Sequence, residues 1–381
     1  MSRQRKSNPG RKGKKVRVAF RRNRNRPPRR KDWTRNIASD ESSALDAAGS
    51  ERVQAKGDLS RKRTITRHDA DADEANLHEG VVVAMRGLFA QVDDGRDVWL
   101  CTVRRVLRTR LIREHHPVTT GDRVLFSVAR TASGGQRDGV IERVGPRKGV
   151  LCRMVRRRRH VVAANVDQAI IVSSAGAPPF KPHLIDRYIV AAHDGGVEPI
   201  IGLNKIDLDS GGSARQYLRI YESLGYRTVT TCAVSGAGVA RLRRILHARC
   251  SVLVGQSGVG KSSLLNAVDP RLRLRTGAVN TDIRKGRHIT TTALLIRLDG
   301  GGYVVDTPGV RSFDLSAVNL NDIEAHMREF ADYIPHCKFP DCTHRHESGC
   351  AVKAAATAGQ IHADRYNSYV RMYEERLARR R

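Results

Sequence analysis

Eight residues, Gly255 to Ser262, have the types and the spacing that hold the phosphates of a nucleotide. The stretch Gly255-Gln256-Ser257-Gly258-Val259-Gly260-Lys261-Ser262 fits the pattern G-x-x-x-x-G-K-[ST]. It follows an apolar run, Ser251–Val254, and opens a predicted helix, Ser262–Val268, which is the context that the pattern requires. Backbone N–H groups at the helix start would face the phosphates, Lys261 would reach the β- and γ-phosphates, and Ser262 would offer its hydroxyl to Mg²⁺. The predicted phosphate loop also includes the next residue, Ser263.

A second pattern, Asn204-Lys205-Ile206-Asp207, follows a predicted strand and has the N-K-x-D form that reads guanine. The Asp207 carboxylate can accept hydrogen bonds from the N1–H and the 2-amino group of guanine, and adenine lacks both donors. A buried acceptor left unpaired costs about 1–3 kcal/mol, so this contact discriminates between the two bases. Cys232-Ala233, at the end of the next predicted strand, occupies the place of a Ser-Ala pair near the base. The residues predicted to surround the base are Asn204, Lys205, Ile206, Asp207, Cys232 and Ala233.

Two further segments predict a switch that responds to the γ-phosphate. Asp306-Thr307-Pro308-Gly309 fits D-x-x-G, in which Asp306 would contact Mg²⁺ through water and the Gly309 N–H would face the γ-phosphate. The polar turn Gly286–Thr292 lies between this pattern and the phosphate loop, and a threonine there can close on Mg²⁺ only while the γ-phosphate is present. The residues predicted to serve Mg²⁺ and the switch are Ser262, Thr290, Thr291 and Asp306.

The group that would assist hydrolysis is less evident. Val310 follows D-x-x-G at the position where many GTPases have a glutamine that orients water, and valine cannot do so. Intrinsic hydrolysis is therefore expected to be slow or to use another group. His288 is the best candidate, because it lies in the predicted switch loop and a histidine titrates near pH 7. The alternative is that His288 is a surface histidine of a loop.

The order of these motifs along the chain is unusual. Ordinary GTPases present the phosphate loop first, then the switch threonine, D-x-x-G and finally N-K-x-D. Here N-K-x-D comes first, at 204–207, and the phosphate loop follows at 255–262. The sequence therefore predicts a circularly permuted GTPase domain whose two switch segments lie directly before the last part of the chain.

Three cysteines and a histidine cluster near the C-terminus, in the arrangement Cys337-x4-Cys342-x-His344-x5-Cys350. Three thiolates and one imidazole form a common tetrahedral set for structural zinc, and four ligands leave no open position for catalysis. His346 competes with His344 as the fourth ligand. The odd total of seven cysteines argues for a reducing compartment and against a disulfide framework.

The elements that must position these residues follow from the pattern of apolar residues. Between residues 80 and 144, five short alternating apolar runs separated by turn residues predict a small β-barrel of the OB type. From Val161 onward, continuous apolar strands alternate with helical stretches, which predicts a parallel sheet covered by helices on both faces. The residues at 291–298 and 302–305 predict a hairpin, and Ala363–Leu377 predicts a final helix.

The charge of the chain is large and unevenly distributed. The 381 residues include 69 Lys and Arg and 39 Asp and Glu, which gives a net charge of +30. Residues 1–35 contribute half of this charge. Such a basic, apolar-poor start predicts a disordered arm that binds a polyanion. No apolar run is long enough to cross a membrane and no secretory signal is evident. An organelle transit segment is the alternative interpretation of the arm.

Together, the motifs resemble the ribosome small-subunit-dependent GTPase A proteins of bacteria, the RsgA/YjeQ-like circularly permuted GTPases. The resemblance covers about residues 80–375 and includes Ala164–Gln168, Ile185–Tyr188 and the motifs described above. It implies a GTPase that the small ribosomal subunit stimulates late in subunit maturation, and it favours His344 over His346 as the zinc ligand. The chain departs from the family at Ile289, where a threonine is usual, so Thr290 and Thr291 both stay candidates for Mg²⁺.

We therefore expect a multidomain protein of the α/β and β classes. The expected parts are a disordered basic arm over 1–77, an OB-type RNA-binding barrel over 78–150, a circularly permuted P-loop GTPase domain over 155–320 and a helical zinc-binding domain over 321–381.

The expected function is that of a cytoplasmic, monomeric GTPase that requires Mg²⁺, carries one structural Zn²⁺ and has no membrane partner. It would bind the rRNA of the small (30S) ribosomal subunit and leave the subunit when GTP is hydrolysed. One alternative is a non-catalytic RNA-binding assembly factor in which GTP signals only occupancy. The other is an ATP-using zinc protein that acts on DNA, against which Asn204–Asp207 argues.

Overall fold

The computed structural model describes residues 14–19, 53–54, 62–67, 77–104, 118–128, 137–155, 158–274, 293–306 and 315–379. Two compact units divide the chain, residues 1–77 and residues 78–381. In the first unit, β1 (Lys14–Ala19), β2 (Val53–Gln54) and β3 (Lys62–Arg67) form an antiparallel sheet in the order β1-β3-β2. These strands were not predicted. The rest of the expected arm lies outside the described residues, and its disorder stays a prediction.

A closed five-stranded barrel begins the second unit. Its strands are β4 (Leu77–Arg86), β5 (Phe89–Asp93), β6 (Val98–Val103), β7 (Arg123–Val128) and β8 (Asp138–Val144). The order is β4-β5-β6-β8-β7, and β7 pairs back with β4. Strands β6 and β8 are parallel, which is the arrangement of an OB fold. Alternate residues fill the interior, including the fully buried Val82, Ala90 and Phe126. The predicted OB-type barrel is confirmed.

An antiparallel hairpin, β9 (Val150–Val155) and β10 (Arg158–Ala164), follows the barrel. This hairpin was not predicted from the sequence. Its arginine-rich centre, at residues 156–159, breaks the alternation of polar and apolar residues on which strand prediction depends.

A mainly parallel sheet forms the centre of the second unit. Its elements in chain order are β11 (Gln168–Ser174), α1 (Pro182–Asp194), β12 (Glu198–Asn204), α2 (Ser213–Ser223), β13 (Arg227–Thr230), α3 (Val239–Leu246), β14 (Cys250–Val254), α4 (Lys261–Val268), β15 (Leu294–Arg297) and β16 (Tyr303–Asp306). The strand order is β13-β12-β11-β14-β16-β15, and only β15 is antiparallel to its neighbour in this set.

Helices cover this sheet on both faces, as predicted. One core contains Ile185 and Ile189 of α1 with Leu218 of α2. The other core contains Leu242 of α3 with Leu264 of α4. Since β11 lies between the two cores, all seven of its residues are buried. Parallel strands buried on both faces have their carboxyl ends at one edge, which places the loops after β11, β12 and β14 together.

The barrel and the parallel sheet join through β15. Leu294 of β15 pairs with Ala84 of β4, so one sheet of eleven strands runs through both. The strand that follows the predicted switch threonines is therefore the strand that meets the barrel.

The C-terminal part packs around Phe330, Tyr369 and Met372, which are buried. Its helices are α5 (Ala351–Thr357) and α6 (Ala363–Ala378), and α6 packs against α1. Short 3-10 turns occupy most of residues 315–336, although the sequence predicts a helical domain over 321–381. Within the described part of the chain, no helix is long and apolar enough to span a bilayer.

Candidate nucleotide-binding site and metal centre

The predicted phosphate loop connects β14 to α4, as its sequence requires. Gly260 has φ 94°, in the left-handed region, and a Cβ atom there would lie 2.5 Å from Nδ2 of Asn204. Glycine is therefore needed both for the backbone conformation and for the close approach of Asn204. Helix α4 begins at Lys261, so Ser262 and Ser263 lie in its first turn, where backbone N–H groups are free to face an anion.

Lys261 is fixed within this loop. Its Nζ donates hydrogen bonds to the carbonyl oxygens of Gly255 and Gln256, each at 2.9 Å. Desolvation lowers the pKa of Lys261 from its usual value of 10.5. The charged amine is thus partly removed from water. Its electrostatic attraction for a phosphate would be stronger there than in bulk solvent.

Asn204 connects the base-reading loop to the phosphate loop. The residue is 1% exposed, and its Nδ2 donates to the carbonyl oxygen of Val259 at 2.9 Å. Its Oδ1 accepts a hydrogen bond from Oγ1 of Thr231 at 3.2 Å. Asn204 therefore positions three loops around the site. The N-K-x-D pattern predicts Asn204 at the base but gives no indication of Thr231, which no short motif contains.

The next residues of the N-K-x-D pattern form a tight turn. Lys205 has φ 58°, and its Nζ donates to the carbonyl oxygen of Ala177 at 2.6 Å. Ile206–Leu208 is a 3-10 turn that leaves the Asp207 side chain exposed to solvent. An exposed carboxylate at the end of β12 is available to a base in the way that the pattern predicts.

Cys232 and Ala233 lie in a turn beyond β13, which ends at Thr230, three residues earlier than predicted. The strand ends because Cys232 N–H donates to the carbonyl oxygen of Ala237 at 2.9 Å, which closes the turn. The thiol of Cys232 is buried and accepts from Ser235 N–H at 3.4 Å. Ile206 N–H donates to the Thr231 carbonyl oxygen at 3.3 Å, so this turn adjoins the N-K-x-D loop.

Asp306 ends β16 next to β14, the strand that leads into the phosphate loop. Desolvation raises the pKa of Asp306 above its usual value of 3.8. A bound cation would favour its ionised form. The other predicted switch and catalytic residues, His288, Thr290, Thr291, Gly309 and Val310, lie outside the described residues.

A second site brings together Cys337, Cys342, His344 and Cys350, whose ligand atoms all lie within 4.8 Å of one another. His344 Nδ1 lies 3.5 Å from the sulfur of Cys337 and 3.4 Å from the sulfur of Cys350. The competing His346 has a side chain that is 76% exposed and pairs with Glu347 instead. The set is soft, compact and almost enclosed, which fits a tetrahedral zinc ion.

Two glutamates, which the sequence analysis missed, support this cluster. Glu324 places Oε2 2.9 Å from Nε2 of His344, an outer contact that would aim Nδ1 at a metal. Glu347 accepts backbone hydrogen bonds from Thr343 at 2.9 Å and from Arg345 at 3.0 Å. Although burial raises the pKa of Glu347, a hydrogen bond from the Thr343 hydroxyl at 2.5 Å, together with the backbone bonds, holds that pKa far below its usual range.

A buried ionic network joins the C-terminal part to the parallel sheet. Arg365 of α6 is 2% exposed, and its Nη1 lies 2.5 Å from Oδ1 of Asp186 on α1. The same guanidinium binds Glu329 through two bonds of 2.6 and 3.0 Å. Tyr221 of α2 donates to Asp186 at 2.9 Å. Asp186 belongs to Ile185–Tyr188, which the family resemblance included without giving it a role.

A closed OB barrel, a P-loop sheet with its base-reading loop ahead of its phosphate loop, and a Cys3His cluster define a circularly permuted GTPase. Comparison with known proteins agrees with this class. The family model described as RsgA GTPase matches residues 144–316. A protein of Thermotoga maritima named small ribosomal subunit biogenesis GTPase RsgA is 38% identical over 308 residues, which are 79% of this chain and 98% of that protein. A protein of Chlorobaculum parvum with the same name is 40% identical over 264 residues, 68% of this chain and 85% of that protein.

Solved structures give the same answer. The crystal structure of YjeQ from Thermotoga maritima has a TM-score of 0.63 and 34% identity, covering 79% of this chain and 99% of that one. YloQ, described as a circularly permuted GTPase, has a TM-score of 0.62 and 28% identity, covering 82% of this chain and 98% of that one. The chain belongs to the RsgA GTPase family, which confirms the resemblance and the expected fold class.

Proposed function

We propose that this protein hydrolyses GTP in the biogenesis of the small ribosomal subunit, that the subunit stimulates hydrolysis, and that hydrolysis releases the protein. The observation that carries the proposal is the Asn204 contact. It joins the loop that carries the exposed Asp207 to the phosphate loop, which supports the binding of a base and its phosphates at adjacent loops. Relatives named small ribosomal subunit biogenesis GTPase support the choice of partner.

Different residues of the site would bind different parts of the nucleotide. Asp207 accepts from the guanine edge, while Cys232 and Ala233 provide the turn beside the base. Residues 255–263 surround the phosphates, and Lys261 supplies a fixed positive charge. Ser262 and Asp306, with Thr290 or Thr291, would hold Mg²⁺, which neutralises charge on the phosphates when bound. Since Val310 cannot orient water, we propose that His288 or a group of the ribosomal subunit does so.

The rRNA would meet the basic surface of the protein. Half of the net charge of +30 lies in residues 1–35, and the remainder is spread over the folded parts. Phosphate contacts of this kind release counterions and supply affinity without sequence preference. The OB barrel would add contacts to unpaired bases.

We propose one structural zinc ion at Cys337, Cys342, His344 and Cys350. The matched variants are His344→Ala and His346→Ala, because only the first removes a side chain of the cluster. We expect bound zinc, measured by elemental analysis of the purified protein, to fall below half for His344→Ala and to stay complete for His346→Ala. Equal zinc in both variants would reject His344 as a ligand.

Multiple-turnover GTP hydrolysis with and without isolated small ribosomal subunits tests the whole proposal. We expect slow intrinsic turnover and an increase of at least tenfold with subunits at low salt, declining as salt rises because phosphate contacts weaken. Lys261→Ala is the control that should abolish both rates. Turnover that subunits leave unchanged at every salt concentration would contradict the ribosomal role.

A further inference from the structure

The turn Thr119–Asp122 is one of the places where the OB barrel contacts the rest of the second unit. Gly121 N–H donates to the Val82 carbonyl oxygen of β4 at 2.7 Å, inside the barrel. On its other side, Ala164 N–H of β10 donates to the Thr120 carbonyl oxygen at 2.9 Å. Gly121 has φ 91°, and a Cβ atom there would lie 2.0 Å from the Ala164 carbonyl oxygen, so the two backbones approach closely here.

The side chain of Thr120 extends this junction to the strand that follows the switch. Thr120 is 1% exposed, and its Oγ1 donates to the carbonyl oxygen of Ala293 at 2.9 Å. Ala293 directly precedes β15 and is itself buried. In the sequence it comes two residues after Thr291, one of the two threonines proposed to bind Mg²⁺.

The turn is held rigidly, so the Thr120 hydroxyl is preorganised. Asp122 is fully buried and accepts a bond from Thr119 N–H at 2.7 Å. Arg147 binds both oxygens of the same carboxylate, through Nε at 2.7 Å and Nη2 at 2.8 Å. Paired bonds of this kind fix both position and orientation.

The barrel also contacts the hairpin formed by β15 and β16 at its other end, near the turn that joins the two strands. Tyr303 of β16 donates to Oδ2 of the buried Asp93 of β5 at 3.0 Å. Desolvation and the Asp93 carboxylate raise the pKa of Tyr303 to about 12, so its hydroxyl keeps the proton that it donates. Arg297 of β15 donates to the Gly95 carbonyl oxygen at 2.7 Å. The barrel therefore contacts both strands that connect the predicted switch threonines to Asp306.

We propose that Thr120 is a positioning residue through which the OB barrel controls GTP hydrolysis. By holding Ala293, Thr120 fixes the chain next to the threonines proposed to bind Mg²⁺, and a ligand that shifts the barrel shifts this chain as well. This inference rests on the proposed GTPase function and specifies how occupancy of the barrel by RNA reaches the nucleotide. Thr120 acts through Ala293 and does not contact the nucleotide.

Three variants of the full-length protein test the role of the hydroxyl. Thr120→Val keeps the shape but removes the donor, Thr120→Ser keeps the donor, and Thr119→Val makes the same change at a buried neighbour in the same turn. For Thr120→Val we expect stimulation of kcat by isolated small subunits to fall at least fivefold. GDP affinity and subunit affinity should both stay within twofold of the wild type. Thr120→Ser and Thr119→Val should retain most of the stimulation.

Two results would overturn the proposal. One is undiminished stimulation of Thr120→Val. The other is an equal loss in Thr120→Ser or Thr119→Val, which would indicate a merely structural role for the turn. If Thr120→Val does not fold, Tyr303→Phe replaces it, with Tyr226→Phe as its control because the Tyr226 hydroxyl has no hydrogen bond in the described part of the chain. Stimulation of Tyr303→Phe should then fall, and stimulation equal to that of Tyr226→Phe would overturn the proposal.

Hydrogen exchange in the free protein separates this inference from the ribosomal role. With a non-hydrolysable GTP analogue in place of GDP, we expect slower exchange in β4 and β5 of the wild type and no difference in Thr120→Val. If small subunits do not change wild-type turnover but this difference in exchange appears, the ribosomal role is refuted and the coupling between nucleotide and barrel is supported. If hydrogen exchange in β4 and β5 of the wild type is the same with both nucleotides, the coupling is refuted, whether or not subunits stimulate turnover.

Discussion

Single polar side chains connect loops of this protein that no helix or strand would hold together. Asn204 is the clearest case, since one amide joins the phosphate loop at Val259 to the turn beyond β13 at Thr231. Both ends of the amide are satisfied, as a buried amide requires. The side chain proposed to read the base, Asp207, is exposed, but the loop that carries it is fixed by the nearby Asn204.

The first prediction concerns base selection by Asp207. Asp207→Asn replaces a charged acceptor by an amide, and hydrogen bonds to a charged group contribute about 1.5–3 kcal/mol each. We expect the affinity for GTP to fall by about 10²-fold or more, as measured by titration of a fluorescent guanine nucleotide. Affinity for the xanthine nucleotide should rise, because xanthine has a carbonyl oxygen at C2 that the new amide N–H can reach.

Asp332→Asn is the matched control for this prediction, since Asp332 is an exposed carboxylate of the C-terminal part. Its affinity for both nucleotides should equal that of the wild type. Unchanged GTP affinity in Asp207→Asn would refute the assignment of Asp207 to the base.

At the scale of elements, the contact of α1 with α6 decides how the C-terminal part is attached. The contact is ionic at its centre, with Arg365 between Asp186 and Glu329, and it is enclosed by apolar residues such as Val190 and Tyr369. Taking three charges out of water is expensive, and the close paired geometry offsets that expense only while every partner is present. The network therefore makes the attachment specific, because any other docking of α6 would bury an unpaired charge.

The second prediction follows from this network. Arg365→Ala leaves two buried carboxylates without their cation, so we expect the free energy of unfolding to fall by about 3–5 kcal/mol. The control is Arg371→Ala on the same helix, where an exposed arginine pairs with Glu375 at 3.5 Å and contributes about 0–1 kcal/mol. Urea denaturation followed by circular dichroism measures both. Equal midpoints for the two variants would show that the buried network does not stabilise the fold.

The third prediction is a pH dependence at the same contact. Desolvation, together with Arg328, His326 and Arg365, lowers the pKa of His193 on α1 to about 4. An unfolded histidine titrates near pH 6.5, so between pH 6.5 and 4 the unfolded chain binds more protons than the folded one. Stability is therefore complete above pH 6.5 and declines as the pH falls. From pH 7.5 to 5.5 we expect a loss of about 1 kcal/mol from His193.

His193→Gln isolates this contribution, because glutamine stays neutral over the whole range. Urea denaturation at pH 7.5 and 5.5 should show a smaller loss for the variant than for the wild type. Most carboxylates titrate below this window and add little to the difference. An identical loss in the two proteins would contradict the assigned role of His193.

For the whole molecule, the permuted order of the motifs has a structural consequence. In this chain the switch hairpin, β15 and β16, is the last part of the parallel sheet before the C-terminal residues, and β15 is also the strand that meets the barrel. The segment that would sense the γ-phosphate therefore adjoins the barrel in the sheet and the C-terminal part in the sequence. A bound nucleotide would then need no long connecting element to act on either part.

The fourth prediction concerns the basic N-terminus. Residues 1–35 carry 16 Lys and Arg against one acid, so a chain that starts at residue 36 loses half of the net charge. We expect its affinity for a single-stranded RNA of about 30 nucleotides to fall more than tenfold at low salt, with a shallower dependence on salt. A chain that starts at residue 78 should lose little further affinity for RNA, because residues 36–77 are slightly acidic. Equal salt slopes for all three chains, measured by fluorescence anisotropy, would show that the arm does not bind RNA.

The sequence by itself determined the chemistry of the two sites. The phosphate loop, N-K-x-D and the Cys3His set are each formed by residues within 14 positions of one another, and backbone geometry over so short a span follows from local residue types. The alternation of strands and helices likewise predicted the parallel sheet, because burial on both faces produces continuous apolar runs. The hairpin β9–β10 was missed where arginines interrupt the pattern.

Only the tertiary structure decided which distant residues support these sites. Asn204 and Val259 are 55 positions apart, Thr120 and Ala293 are 173 apart, and Asp186 and Arg365 are 179 apart. Many pairs of polar residues at such separations are chemically compatible. The pair that forms is selected by how sheets and helices pack, which brings two particular side chains into a space closed to water. The same reason explains His344, since both histidines could bind zinc but the turn at His344, with φ 57°, directs only that ring into the buried cluster.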